Sequence, residues 1–139
     1  PIGLAGCPRS GTTMVGPILA AHPALATSEE RPITAPVRRE MVAMMRQNKH
    51  TNPDGDDMIG LNDDQVRRLR RIYRDALENA IDDTSHLDRI LIDKGPLRTL
   101  DLGLFNRFFP ESTLILMLRD PRDVVLTGLF HHFAVNPAL

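Results

Sequence analysis

An α/β fold, with a parallel central sheet flanked by helices in three layers, is the class this sequence predicts. Three observations carry it. Short apolar runs alternate with longer amphipathic stretches, and strands alternating with helices argue for parallel pairing through helical crossovers. One run, Leu114–Leu118, is apolar throughout, as a central parallel strand covered on both faces should be. The first run, Ile2–Ala5, leads into a glycine-bounded loop and then a stretch of helical length. That layout aims backbone N–H groups and a helix N-terminus at an anion.

The elements follow in order. Ile2–Ala5 is expected to be a buried strand, and Thr12 or Thr13 to cap a helix that runs to about Ala21. His22-Pro23 ends that helix, because a residue before proline avoids the helical region. Ala24–Thr27 reads as a weaker second strand and Ser28–Pro32 as a polar loop. Val37 to about Asn48 reads as a helix, with Met41, Met44 and Met45 on one face as core residues. Asn52–Asp57 reads as a loop. Asn62 and Gln65 have the spacing of a capping box, opening a helix to about Asp82 with Val66, Leu69, Tyr73, Leu77 and Ala80 as its apolar stripe. Arg89–Lys94 is a strand with a polar end, Pro96–Phe108 a helix stopped by Pro110, Thr113–Arg119 the strongest strand, and Arg122–Phe133 a last helix.

With 139 residues the chain is one domain or part of one. We take 1–139 as a single domain whose C-terminal part is missing: the chain enters directly on a strand and leaves through Asn136–Leu139 without a closing element. A net charge of −1 does not favour a non-specific nucleic-acid grip. No apolar run approaches the roughly 20 residues of a membrane span. The single cysteine, Cys7, cannot form an intrachain disulfide and reads as a small buried loop residue. Arg67, Arg68, Arg70, Arg71 and Arg74 share their helix with acidic residues, and Arg71–Asp75 and Arg74–Glu78 have ion-pair spacing, which argues a solvated face. His131 and His132 are adjacent and point to different helix faces, so no metal site is expected.

The loop Gly6-Cys7-Pro8-Arg9-Ser10-Gly11-Thr12-Thr13 has the glycine spacing of a nucleoside-triphosphate loop, G-x-x-x-x-G-K-S/T. Thr12 stands where the lysine should be, and Arg9 is the only charge in the loop. The anion cradle of a P-loop is kept and the triphosphate signature is lost. Further polar clusters follow other predicted strands: Glu29-Glu30, Lys94-Gly95-Pro96 and Arg119-Asp120-Pro121-Arg122-Asp123. In open α/β sheets ligands sit beyond the carboxyl ends of the strands. Arg9, Glu29 or Glu30, Lys94, Arg119 and Arg122 are therefore expected at one edge, as cations for a polyanion and a carboxylate able to act as a base.

Taken together, Pro8-Arg9-Ser10-Gly11-Thr12-Thr13 and Arg119-Asp120-Pro121-Arg122-Asp123 resemble the sulfotransferases that use 3′-phosphoadenosine 5′-phosphosulfate (PAPS). The resemblance is closest to the tyrosylprotein sulfotransferases and to related bacterial enzymes that carry tetratricopeptide repeats. It implies that Arg9, Ser10, Gly11, Thr12 and Thr13 bind the 5′-phosphosulfate. It implies that Arg119 and Thr127, a threonine where the family usually has serine, bind the 3′-phosphate. Ala21-His22-Pro23 followed by Glu29-Glu30 resembles the segment leading to a catalytic glutamate, and the count from Pro23 makes Glu30 the general base. Asp93-Lys94-Gly95-Pro96 resembles a D-K-x-P stretch whose lysine, here Lys94, neutralises charge on the sulfuryl group beside Arg9. The implied donor is PAPS, with 3′-phosphoadenosine 5′-phosphate (PAP) as product and no metal, and the implied acceptor carries a hydroxyl or phenol of unspecified class. Two other readings stay open at this point: a P-loop kinase-like nucleotide phosphotransferase, and a non-catalytic nucleotide-binding module.

Overall fold

A computed structural model describes residues 1–28, 30–47, 60–81 and 88–130. The loop at 52–57, Glu29, the expected helix end at Asp82, and His131 and His132 lie outside the described residues.

Strands β1 (Ile2–Gly6), β2 (Leu25–Thr27), β3 (Ile90–Lys94) and β4 (Leu114–Met117) form one parallel sheet in the order β2-β3-β1-β4. Ile2 pairs with Ile92 and Leu4 with Lys94; on the other side of β1, Gly3 pairs with Leu114 and Gly6 with Met117. All four strands run the same way, so their C-terminal ends open on one edge of the sheet. The polar clusters of the sequence follow those ends.

Side-chain alternation on β3 defines the layers. Lys94 faces helix α1 (Thr12–Ala20), where its stem lies against Gly16. Asp93 faces the opposite way and accepts a hydrogen bond from Tyr73 of α3 (Asp63–Glu78). On that second face α3 packs with α2 (Thr34–Gln47) and α4 (Leu102–Phe108). The main core lies there: Val37, Met41, Met44 and Met45 meet Leu69, Tyr73 and Leu77, closed by Leu104, Phe105, Phe108 and Phe109. The Tyr73 ring meets Phe109 edge-on at 5.2 Å between centroids. The methionine face is therefore core, as its spacing implied.

Several local expectations change. Gly11, not a threonine, is the N-cap of α1: at φ 106° it sits in left-handed space, which costs glycine nothing. The expected capping box does form on α3, with Asn62 Oδ1 accepting from the Gln65 amide and Gln65 Oε1 from the Asn62 amide. That helix ends at Glu78, sooner than its stripe suggested, and α2 begins at Thr34, ahead of Val37. The Pro96–Phe108 stretch splits into a 3-10 helix, Pro96–Asp101, and α4. α5 spans Pro121–Leu129, with proline pre-setting the first turn and Asp120 as its cap.

β4 lies at the sheet's edge among the described residues, not at its centre, and Leu114 and Leu116 are 42% and 47% exposed. An apolar run reports that a strand is made to be covered; strand order is set by pairing, which the run does not encode. Arg67, Arg68 and Arg70 of α3 pair with Asp64, Glu40 and Glu111, the spaced pairs Arg71–Asp75 and Arg74–Glu78 do not form among the described residues, and Arg70 lies over the Phe109 ring at 5.0 Å. Cys7 is exposed, not buried, because the loop that carries it leaves the sheet edge. No helix among the described residues is long and apolar enough to cross a membrane.

Candidate active site

The loop after β1 is pinned at two carbonyls. Thr99 Oγ1 donates to the Gly6 carbonyl at 3.0 Å, and Arg119 Nη1 donates to the Arg9 carbonyl at 3.1 Å. Between these points the backbone turns sharply: the Ser10 amide donates to the Cys7 carbonyl, and Arg9 and Gly11 both take positive φ, 68° and 106°. Gly6 is required by close approach, since a Cβ there would collide with Ser10 Oγ.

Ser10 carries an unsatisfied group in this loop. Its side chain is buried, and Oγ is the one buried side-chain polar atom without a hydrogen-bond partner among the described residues. Leaving a buried hydroxyl unsatisfied costs about 1–3 kcal/mol. Beside it, α1 begins with no side-chain cap, so its first-turn amides have no such acceptor. A helix N-terminus without a side-chain cap suits an anion with several acceptor oxygens. The same features answer whether a phosphosulfate fits: the donors here are uncharged groups plus arginine, which hold an anion by hydrogen bonds.

A cleft of about 460 Å³ opens over the loop. Its lining brings together Arg9, Ser10, Gly11, Thr12, Thr13, Glu30 and Arg119 of the sequence-derived set. Lys94 and Thr127 are not among the lining residues. Lys94 ends β3 with its side chain 3% exposed and its stem against Gly16, while its amide donates to Ser28 Oγ at 3.0 Å. The sequence places Lys94 among the ligand-facing cations at the strand ends; here α1 covers it. Thr127 Oγ1 donates to the Asp123 carbonyl one turn back in α5 at 2.6 Å. Arg122 folds onto its own cap, donating to Asp120 through Nη2 at 2.8 Å, which holds the Asp120 carboxyl below the usual carboxylate range and keeps Arg122 out of the cleft lining. Among the described residues no cluster of His, Cys, Asp or Glu has the arrangement of a metal site.

On the α3 face of the sheet lies a polar network that sequence reasoning missed. Asp93, 1% exposed, accepts from Tyr73 and from Arg98 Nε at 2.9 Å. Burial first, and the Asp93 carboxylate second, push the Tyr73 phenol far above its ordinary range, so it is held as a donor. Asp101 accepts from Thr34 Oγ1 at 3.1 Å and pairs with Arg38. Ser28, read as part of a polar loop, is fully buried. Thr34, Arg38, Arg98 and Asp101 stand outside any recognisable motif, and only their spatial meeting identifies them.

The chain is 30% identical to Nodulation protein NoeE of Sinorhizobium fredii over 85% of its own length, and this covers 28% of that relative. The chain thus spans less than a third of the curated relative it matches. A family model described as the sulfotransferase family matches residues 1–138, and the chain belongs to that family.

Proposed function

We propose that the protein is a sulfotransferase that moves a sulfuryl group from PAPS to the oxygen of a hydroxyl or phenol acceptor. The observation that carries this reading is the cleft over the β1–α1 loop, where an orphaned buried hydroxyl, an uncapped helix start, two arginines and one carboxylate border a single space. Family membership supports the reaction class.

Bound there, the donor supplies a sulfuryl group on an activated bridging oxygen and departs as PAP. Sulfuryl transfer parallels phosphoryl transfer, in which a protein contributes mainly position and charge stabilisation. Ser10, Thr12, Thr13 and the first-turn amides of α1 hold the anion, and Arg9 offsets its charge. Arg119, and Thr127 from α5, take the 3′-phosphate. Glu30 accepts the proton of the acceptor hydroxyl as its oxygen attacks sulfur. Lys94 would turn its ammonium toward the transferring group from behind α1.

Titration with PAP against ATP–Mg²⁺ tests the donor class: PAP binds and ATP–Mg²⁺ does not, and the reverse order returns the phosphotransferase reading. Turnover tests the chemistry. Glu30→Gln should lower kcat by about 10²–10⁴-fold with PAP affinity nearly unchanged, the contribution of a positioned base. Glu29→Gln should do much less. If Glu29→Gln is the crippling change, the base is Glu29; if neither matters, the base lies elsewhere.

A further inference from the structure

Arg98 is the side chain that joins the two halves of this candidate site. It belongs to the 3-10 helix after β3, and its side chain is 13% exposed. Nε meets the Asp93 carboxylate at 2.8 Å, and Asp93 is the strand neighbour of Lys94. Nη2 donates to the Arg31 carbonyl at 2.8 Å, and Arg31 is the loop neighbour of Glu30. Nη1 reaches Thr34 Oγ1 at 3.4 Å and Asp101 at 3.7 Å. The Arg31 carbonyl also accepts from the Ile33 amide at 2.8 Å, so the guanidinium closes a tight turn just after Glu30.

A planar fork of five donors can serve a carboxylate, a hydroxyl and a backbone carbonyl at once, which a point ammonium cannot. Ser28 also ties the loop after β2 to β3, through the Ile92 carbonyl and the Lys94 amide. We propose that Arg98 is a positioning residue: it couples the strand end carrying Lys94 to the loop carrying Glu30, so one buried guanidinium sets the geometry of both. This rests on the reading of Glu30 and Lys94 given above. The coupling itself is a statement about the loop, which can be measured without turnover.

The experiment uses the full-length protein with Arg98→Lys, which keeps a positive charge for Asp93 but loses the fork. Amide hydrogen exchange at Ile33 should quicken about tenfold or more while the amides of α3 keep their protection, the pattern of a local opening. Turnover should fall with PAP affinity within about twofold, a loss in kcat and not in donor binding. In a Glu30→Gln background the same change should cost little further, because residues acting through one another are not additive. Should Arg98→Lys fail to fold, Asp93→Asn with Arg98→Met removes the ion pair as a unit and is read in the same way. Unchanged exchange at Ile33 overturns the proposal, and, where Glu30→Gln by itself lowers turnover, so does an undiminished loss from Arg98→Lys in that background. Quickened exchange beside a silent Glu30→Gln upholds the coupling and moves the failure to the choice of base.

Discussion

Arg119 and Arg9 are joined by a side-chain-to-backbone hydrogen bond of 3.1 Å, from the Arg119 guanidinium to the Arg9 carbonyl. It reaches from the end of β4 to the residue of the β1–α1 loop that carries a positive φ, 68°, without being glycine. That conformation costs an ordinary L-residue about 1–2 kcal/mol and persists where neighbours hold it. Arg119 therefore has a part in shaping the loop besides the phosphate contact proposed for it.

Arg119→Ala should accordingly show two losses. PAP affinity should fall about tenfold or more, roughly 1.4 kcal/mol. The analogue without the 3′-phosphate should also weaken, by a smaller factor, because the loop loses its tether. Calorimetric titration of both ligands separates the two. Equal losses would remove the 3′-phosphate contact, and an unchanged analogue would remove the tether.

Ser10→Ala should move stability and binding in opposite directions. Oγ is buried with no partner among the described residues, so its removal relieves an unsatisfied group worth about 1–3 kcal/mol. The ligand-free variant should melt at or above the wild-type temperature. PAP binding should weaken, since a hydrogen bond to a charged group is worth about 1.5–3 kcal/mol. A variant that loses stability and binds PAP normally would show that the hydroxyl serves the fold.

Gly16 tests Lys94 without touching it. A Cβ at this position would lie 2.9 Å from Lys94 Cδ, so Gly16→Ala must displace the lysine stem. Alanine gains about 0.5–1 kcal/mol over glycine inside a helix, which offsets part of the crowding. We expect near-wild-type melting and reduced kcat. Normal turnover in this variant would count against a role for Lys94 in the transfer.

Tyr73 gives a pH prediction with a built-in probe, because the 139 residues contain a single tyrosine and no tryptophan. Its pKa is raised in the folded state, by burial first and by Asp93 second. A raised pKa means the phenol's contribution to stability is complete below the unfolded value, about 10, and is lost as pH climbs above it. Tyrosinate absorbance should stay flat through that value and then rise together with loss of helical circular dichroism. A smooth titration near pH 10 in the folded chain would place the phenol in solvent.

Much of this site is legible in the residue order. Gly6 and Gly11 at fixed spacing specify a sharp turn before a helix because the features needed are local: a backbone that bends, a close approach and a helix start. Parallel strands do the rest, since they bring every β–α loop to one edge. Asn62 and Gln65 form their capping box for the same local reason. The burial of Lys94 depends on α1 lying across β3, and the exposure of Cys7 on which way its loop faces, and neither is written in the neighbouring residues.

By itself, then, the sequence determined the α/β class, the order of elements, the glycine-bounded turn before α1 and the family resemblance, all of which rest on periodicity and on residues within a few positions of one another. The tertiary structure decided which strand lies at the edge, which strand-end cation is buried, and which side chains link the loops. Arg98 meets Arg31 and Thr34 across more than sixty residues of chain, and Asp93 meets Tyr73 across twenty. Contacts of that span come from the packing of whole helices against the sheet, and no local pattern of residues encodes them.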